Sequence, residues 1–347
     1  MTGVQTITLG PEAEAQRLDR WLRHQYPHIN QGRIEKMCRK GEIRLDGARV
    51  KASTRLGTGQ RLRLPPLPAA VAEGRAKPEA RVSAADAEML RDRILYRDEH
   101  ILALDKPAGL AVQGGSGQVR HLDGMRAALA FERSEGPRLV HRLDKDTSGV
   151  MVMARTGAAA AGLSEAFRSR ATLKVYWAAT AGVPRPASGE IVTGLVKAPG
   201  HGPNGAGEKM VSLHPSEVRA TTDARRAVSQ YEVIAPAARR AAWVALRPVT
   251  GRTHQLRVHM AELGCPIVGD GKYGTNRQTN EGDGWGAQLG GEISRKLHLH
   301  ARSLHLRHPV TGRPLTLTAE LPPHMARTWA LFGWTPEEAP ERPFSED

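Results

Sequence analysis

Apolar residues recur at helical spacing near the start of the chain, lose their period over a proline-rich stretch, and return afterwards in alternating or continuous runs. In RLDRWLRHQYPHIN, Leu18, Trp21 and Leu22 fall on one helical face, and in QGRIEKMCRKGEIRLDGARV so do Ile34, Met37 and Cys38, which predicts two short helices. Gly41 stops the second. Ile43 and Leu45 then lead into an Asp46-Gly47 turn with Val50 beyond it, a short hairpin signal. From Pro65 to about Asp86, PPLPAAVAEGRAKPEARVSAAD keeps no period and reads as a linker, bounded at 65–90. Strands are predicted at Ile101 to Leu104, Val150 to Ala154, Leu173 to Thr180, Gln230 to Ala235 and Ala242 to Leu246. His254 to Leu263 is predicted as a helix capped by Thr253, with Leu256, Met260 and Leu263 as its apolar stripe and Arg257 off that stripe. KAPGHGPNGAGEK, Lys197 to Lys209, reads as a long flexible or insertion loop. PEEAPERPFSED, 336–347, sets five acids against Arg342 and reads as a disordered tail. This order of elements leaves α/β and α+β both open.

Length and charge narrow the partner. A chain of 347 residues can bury a sizeable core and more than one domain. The net charge of +14 and pI near 10.3 point to a polyanion, with nucleic acid favoured over a membrane surface. The charge is concentrated: Gln16 to Arg63 holds 13 Lys/Arg against 4 Asp/Glu, which is +9 of the total. A run of charge is usually a solvated face, but this density favours RNA contact. No stretch approaches the roughly 20 apolar residues of a membrane span, and MTGVQTITLGPEAEAQ lacks a basic start followed by an apolar run, so a cytoplasmic protein is expected. Cys38 and Cys265 give no paired-cysteine metal spacing and read as reduced thiols. There is no G-x-x-x-x-G-K-[ST] pattern, and GGSG after Gln113 is too loose to stand for one.

The chemistry concentrates in LVHRLDKDTSGVMVMA, Leu139 to Ala154. Asp146, Thr147, Ser148 and Gly149 fit a turn before a strand. Asp144 follows Leu143 inside a cluster of Arg142, Lys145 and His141, where positive charge favours its ionised form. A carboxylate held in that state suits a nucleophile and not a general acid. A glycosidase-like pair with Asp146 fails on geometry, since two carboxyls two residues apart on one loop cannot flank a sugar at roughly 5–9 Å.

The segment Gln16 to Leu64, through RLDRWL, GRIEKMCRKGEIRLDG and GQRL, resembles the S4 RNA-binding module. HRLDKDTSG, LKVYWA (Leu173 to Ala178) and PVTGRTHQLRVHMAELGCPIVGDGKYG (Pro248 to Gly274) together resemble the RluA family of RNA pseudouridine synthases over about Ile94 to Leu321. The resemblance implies an α+β protein: an S4-like helix pair plus hairpin at 16–64, then a mixed, mainly antiparallel-sheet catalytic domain at 91–325. It implies isomerisation of uridine in RNA without metal or small-molecule cofactor. Asp144 is then the nucleophile, and Arg142 fills the gap left by the flipped uridine. Tyr176 packs on the flipped uracil and is implicated in removing its C5 proton, while Arg257 pairs with the catalytic carboxylate. Within the family the chain looks most like the RluC group, which modifies several uridines of large-subunit ribosomal RNA, with RluD-like or transfer-RNA specificity as the alternative; a monomer is expected. From another class, a non-catalytic ribosome-assembly factor is disfavoured because Asp144, Tyr176 and Arg257 all stand in their motif positions.

Other tempting residues read more plainly. His298, His300, His305 and His308 lack a thiol or carboxylate at ligand spacing and read as strand residues. His254 and His259 are five apart, not an H-x-x-x-H pair. His141 reads as orienting its loop, and Lys106 as a phosphate or loop contact.

Overall fold

The helical spacing at the start of the chain closes into a small core of its own. The computed structural model describes residues 3–67, 82–114, 120–169, 171–198, 209–274, 292–340 and 343–344, and the chain divides into two units, Met1–Pro78 and Glu79–Asp347. Most of the expected linker, GGSG beyond Gly114 and the centre of the Lys197 to Lys209 loop lie outside the described residues.

In the first unit, β1 (Gln5–Thr8), α1 (Leu18–Gln25), α2 (Gln31–Lys40), β2 (Arg44–Leu45), β3 (Ala48–Arg49) and β4 (Arg61–Leu64) follow in order. The Asn30 side chain accepts the Arg33 N–H at 2.9 Å to start α2, and Gly41, at φ 71°, ends it in the left-handed region that favours glycine. Leu18, Trp21, Leu22, Ile34, Met37, Cys38, Ile43 and Leu45 are buried in one cluster, so the spacing read from sequence is the spacing that packs. The cations go outward: of the Lys/Arg between 16 and 63, all but Arg44 are exposed. β1 precedes the expected start at Gln16 and pairs antiparallel with β4, completing a sheet in the order β1-β4-β2-β3.

The second unit begins with a helix where a linker was expected. α3 (Ala84–Arg91) is capped by the Ser83 side chain, which accepts from Asp86 N at 3.0 Å, and it buries Leu90. There follow β5 (Ile94–Arg97), β6 (Ile101–Lys106), α4 (Leu122–Met125), β7 (Arg138–Leu139), β8 (Ser148–Ala154), α5 (Gly157–Arg168) and β9 (Leu173–Ala181). The chain continues through β10 (Ser188–Lys197), β11 (Met210–Leu213), β12 (Arg225–Ala237), β13 (Ala241–Pro248), α6 (Gln255–Glu262), β14 (Leu299–Arg307), β15 (Pro314–Thr318) and α7 (Pro323–Phe332). Each predicted strand is present and most run longer than their apolar stretch. Backbone pairing continues past the last buried side chain.

The sheet runs β11-β10-β12-β13-β9-β14-β8-β6-β5, with β15 on β14 and β7 on β8; β14 and β8 are parallel, and the remaining pairs are antiparallel. Its central strands are apolar on both faces because both are covered. Met151 and Met153 of β8 enter one cluster, and Val150, Val152 and Ala154 enter another. Trp243 of β13 is wholly buried with Trp177, Trp329 and Trp334 around it, at ring centroids 4.6, 5.6 and 6.4 Å away. The first residues of the acidic end depart from the expected disorder, since Thr335 and Glu338 form a capping box over the helical turn Pro336–Glu338, while 341–342 and 345–347 lie outside the described residues.

The histidines of KLHLHARSLHLRH belong to this packing. His298 lies against Lys296 O and the Thr328 hydroxyl, and His300 lies against the Ser148 hydroxyl and Ala319 O. Burial holds both at a pKa of about 4, below the ordinary 6.5. The unfolded chain therefore binds more protons between pH 6.5 and 4, so the stability these groups contribute is complete above about 6.5 and is lost as pH falls through that window. The melting temperature of the wild type should drop across it. His300→Gln should melt lower at pH 7 yet lose less on acidification, and an equal slope would remove His300 from the acid response.

Candidate active site

The loop His141 to Thr147 is shaped by its non-reacting residues. His141 Nε2 accepts the Val152 N–H at 3.0 Å, Leu143 is buried in the core, and Asp144 O accepts the Thr147 N–H at 3.2 Å. Lys106 is fully buried, and its Nζ donates to Pro107 O, Leu110 O and Lys145 O at 2.8, 2.9 and 3.1 Å. Gly109 N also donates to Lys145 O, at 2.9 Å. Lys106 is thus a loop contact within the protein. Burial lowers its pKa to about 7 against the pull of Asp146, Asp144 and Asp105. Gly149 cannot carry a side chain: its φ is 109°, and an added Cβ would lie 2.2 Å from Ala301 O on the neighbouring strand. Asp146 is exposed, while Thr147 and Ser148 are buried, as a turn entering a strand requires.

This loop forms one wall of a cleft of about 600 Å³, a volume suited to a small ligand. Arg142, Asp144, Tyr176 and Arg257 all line it, with Lys174 from β9 and the turn Val249–His254. The four residues singled out from sequence are therefore brought together. Arg142 is exposed, and among the described residues no hydrogen bond or ion pair holds it. Tyr176 is half-buried, and burial, then the charge of Asp144, raises its phenol pKa well above the ordinary 10. The side chain presented to the cleft is a neutral phenol.

Arg257 departs from the expectation. Its Nε and Nη2 donate to Asp270 Oδ2 and Oδ1 at 2.7 and 2.6 Å, a two-pronged pair with side chains 5% and 0% exposed. Asp144 acts on it at longer range, as a further negative charge that favours the guanidinium. Nor is Arg257 solvated, because α6 is buried on every side from Gln255 to Met260. His259 on that helix lies 2.9 Å from both the Ser229 and Thr193 hydroxyls. Thr253 does not cap α6. The residue at that place is His254, at φ 54°, and Gln255 ties the turn instead, accepting from Thr250 Oγ1 and Arg252 N and donating to Val228 O and Ser229 Oγ.

Asp270 and Tyr273 stand in GDGKYG, which carries the family resemblance, but neither was singled out. Asp270 also accepts the N–H groups of Lys272 and Tyr273, and Gly269 before it, at φ 74°, would put a Cβ 2.0 Å from Lys296 O. The Tyr273 ring faces the Arg257 guanidinium at 5.2 Å, and its hydroxyl lies 2.8 Å from both Met210 N and His254 Nδ1. A glycine before a lone aspartate was the available signal; the pairing itself spans 13 residues and needs the turn after α6 to form.

A strongly basic module and, in the same chain, a sheet domain whose cleft presents a carboxylate, an aromatic wall and free cations define an enzyme that acts on RNA. The family model described as RNA pseudouridylate synthase matches residues 100–262, and that of the S4 domain matches 16–62. Over 333 residues the chain is 34% identical to ribosomal large subunit pseudouridine synthase C of Vibrio cholerae serotype O1, covering 93% of this chain and 95% of that one. It is 33% identical to the protein of the same name from Rickettsia bellii, over 90% and 97% of the two chains. Among solved structures it resembles human RNA Pseudouridylate Synthase Domain Containing 4, with TM-score 0.58, 34% identity, and coverage of 71% of this chain and 95% of that one. The chain belongs to the RNA pseudouridine synthase family.

Proposed function

We propose that this protein converts particular uridines of large-subunit ribosomal RNA to pseudouridine, with Asp144 as the nucleophile. The observation that carries the assignment of Asp144 is its position: it is held in the cleft by a loop pinned to Lys106 and Val152, and within 4 Å it has no ion-pair partner among the described residues. Arg257, lining the same cleft, is engaged by Asp270, so the Asp144 carboxylate is available to a substrate. The reaction breaks the N1–C1′ bond, turns the freed uracil and joins C5 to C1′, so nothing is gained or lost except the C5 proton exchanged with solvent.

A stacked uridine hides its glycosidic bond and must be extruded. Arg142, exposed at the cleft, is the residue proposed to fill the space it leaves, and Tyr176 the wall against which the base rests. The raised pKa of Tyr176 means that removal of the C5 proton by its oxygen requires the phenol to pass on its own proton first. Arg257 is assigned to organising the cleft through Asp270 and to supplying positive potential near Asp144. The names of the Vibrio and Rickettsia relatives support the ribosomal target; a cytoplasmic monomer is part of the same proposal. Among the described residues no helix is long and apolar enough to cross a membrane.

Mapping pseudouridine in ribosomal RNA from a strain lacking this gene tests the target: specific large-subunit sites should revert to uridine, and an unchanged map would refute the ribosomal assignment. The basic module has its own test. Neutralising Arg33, Lys36, Arg39 and Lys40 together to glutamine should flatten the dependence of log affinity on log salt by roughly 0.7–0.9 for each phosphate that the module no longer neutralises. An unchanged slope would show that this face of α2 does not meet RNA.

A further inference from the structure

We propose that Lys174 holds a backbone phosphate of the RNA next to the extruded uridine, on a platform made by Phe167. This rests on the function proposed for the cleft and names which part of the substrate that side of it takes.

Side chains two apart on a strand share a face at roughly 6.7 Å separation. On β9, Lys174 and Tyr176 are such a pair and both line the cleft, whereas Val175 and Trp177 point into the core on the other side. A base against Tyr176 therefore has its own sugar-phosphate within one nucleotide's reach of the Lys174 ammonium. That ammonium sits over the Phe167 ring, 4.7 Å from its centroid, and Phe167 in turn packs on His141 at 4.5 Å. An aromatic face fixes a cation while leaving its N–H donors unused.

Among the described residues no carboxylate stands within ion-pair distance of Lys174, and none of its donors meets an acceptor. The histidine behind Phe167 is no counter-charge either: His141 is kept neutral, its pKa lowered to about 3 by burial and then by the charge of Lys174. Burial alone lowers the Lys174 pKa from its ordinary value. A half-buried ammonium without an anion is costly to keep. A phosphate would supply the missing charge through short charge-assisted hydrogen bonds, and a compact ammonium suits that role. Uracil offers only neutral acceptors and already has Tyr176. The alternative is a lysine whose stem covers Phe167 while its head is simply solvated.

The test uses the full-length protein and a stem-loop RNA containing one target uridine, with the phosphates around it replaced singly by neutral methylphosphonates. Wild type should lose about tenfold or more in kcat/KM at one position. Lys174→Met should show a similar loss on unmodified RNA and no further loss at that position, with full sensitivity at the others. Lys174→Arg should keep most of the wild-type pattern. Melting followed by tryptophan fluorescence checks the fold, and Lys174→Gln carries the same comparison if the methionine variant melts early. A Lys174 variant with unchanged kcat/KM, or one as sensitive as wild type at every methylphosphonate, overturns the phosphate contact. So does a wild type indifferent to all of them. Failure of the wild type to form pseudouridine in any RNA would overturn the parent proposal instead.

Discussion

Asp144→Ala and Asp144→Asn are expected to abolish pseudouridine formation while RNA binding survives. The proposed nucleophile is lost, whereas the exposed cations of the first unit and of the cleft remain. Asparagine is the more informative change, because it preserves the shape of the side chain while removing the anion; the Thr147 N–H to Asp144 O bond is backbone and survives in both variants. Release of tritium from C5-labelled uridine in RNA measures turnover, and a filter-binding isotherm measures affinity. Asp146→Ala should retain most of the activity, since Asp146 is exposed on the turn and does not line the cleft. Near wild-type release from Asp144→Ala together with loss in Asp146→Ala would show that the wrong aspartate has been chosen.

The second large effect concerns Arg257 and acts on stability first. Arg257→Met leaves the Asp270 carboxylate, whose side chain is 0% exposed, without its two-pronged partner, and breaking such a buried pair costs about 3–5 kcal/mol. The variant should melt well below wild type at neutral pH. In the wild type the guanidinium and two backbone N–H groups hold the Asp270 pKa down against burial. With Arg257 gone that pKa rises, so the penalty should shrink as pH falls and the carboxyl can bury as the neutral acid. This is the opposite of an active-site rescue at high pH, which a direct pair with Asp144 would give. Replacing both residues, Arg257→Met with Asp270→Leu, should recover part of the loss, since no uncompensated charge stays buried. Arg257→Lys should be a partial replacement, because a point charge cannot make both contacts. An Arg257→Met melting temperature equal to wild type, with a pH–rate profile displaced upward, would return the ion pair to Asp144.

Arg142→Ala separates extrusion from chemistry. Turnover should fall most on stably paired RNA and least where the target uridine is already unstacked. A uniform loss on both substrates would argue that Arg142 serves the reacting atoms and not the gap in the RNA.

Features that depend on near neighbours were legible along the chain. The helix pair of the first unit follows from the spacing of Leu18, Trp21, Leu22, Ile34, Met37 and Cys38, and its end follows from Gly41, because turn geometry and amphipathic faces are written within one or two turns of chain. The loop around Asp144 was legible for the same reason: Asp, Thr, Ser and Gly before a run of Val and Met carry their own conformational preferences. Partners, in contrast, were settled only by folding. Arg257 lies off the apolar stripe of α6 and so reads as solvated, yet the turn bearing Asp270 and Tyr273 covers that face and turns it into a buried ion pair. Lys106 reads along the chain as a phosphate or a loop contact, and only burial with the carbonyl oxygens of Pro107, Leu110 and Lys145 decides for the loop, as the pin of the Asp144 segment. Lys174 passes unnoticed in a strand until Phe167, on the preceding helix α5 and outside the strand pattern, sits beneath its ammonium. Whether a charge is solvated, paired or left for a substrate depends on what the neighbouring turns and elements pack against it once folded, and the periodicity of its own element carries no record of that.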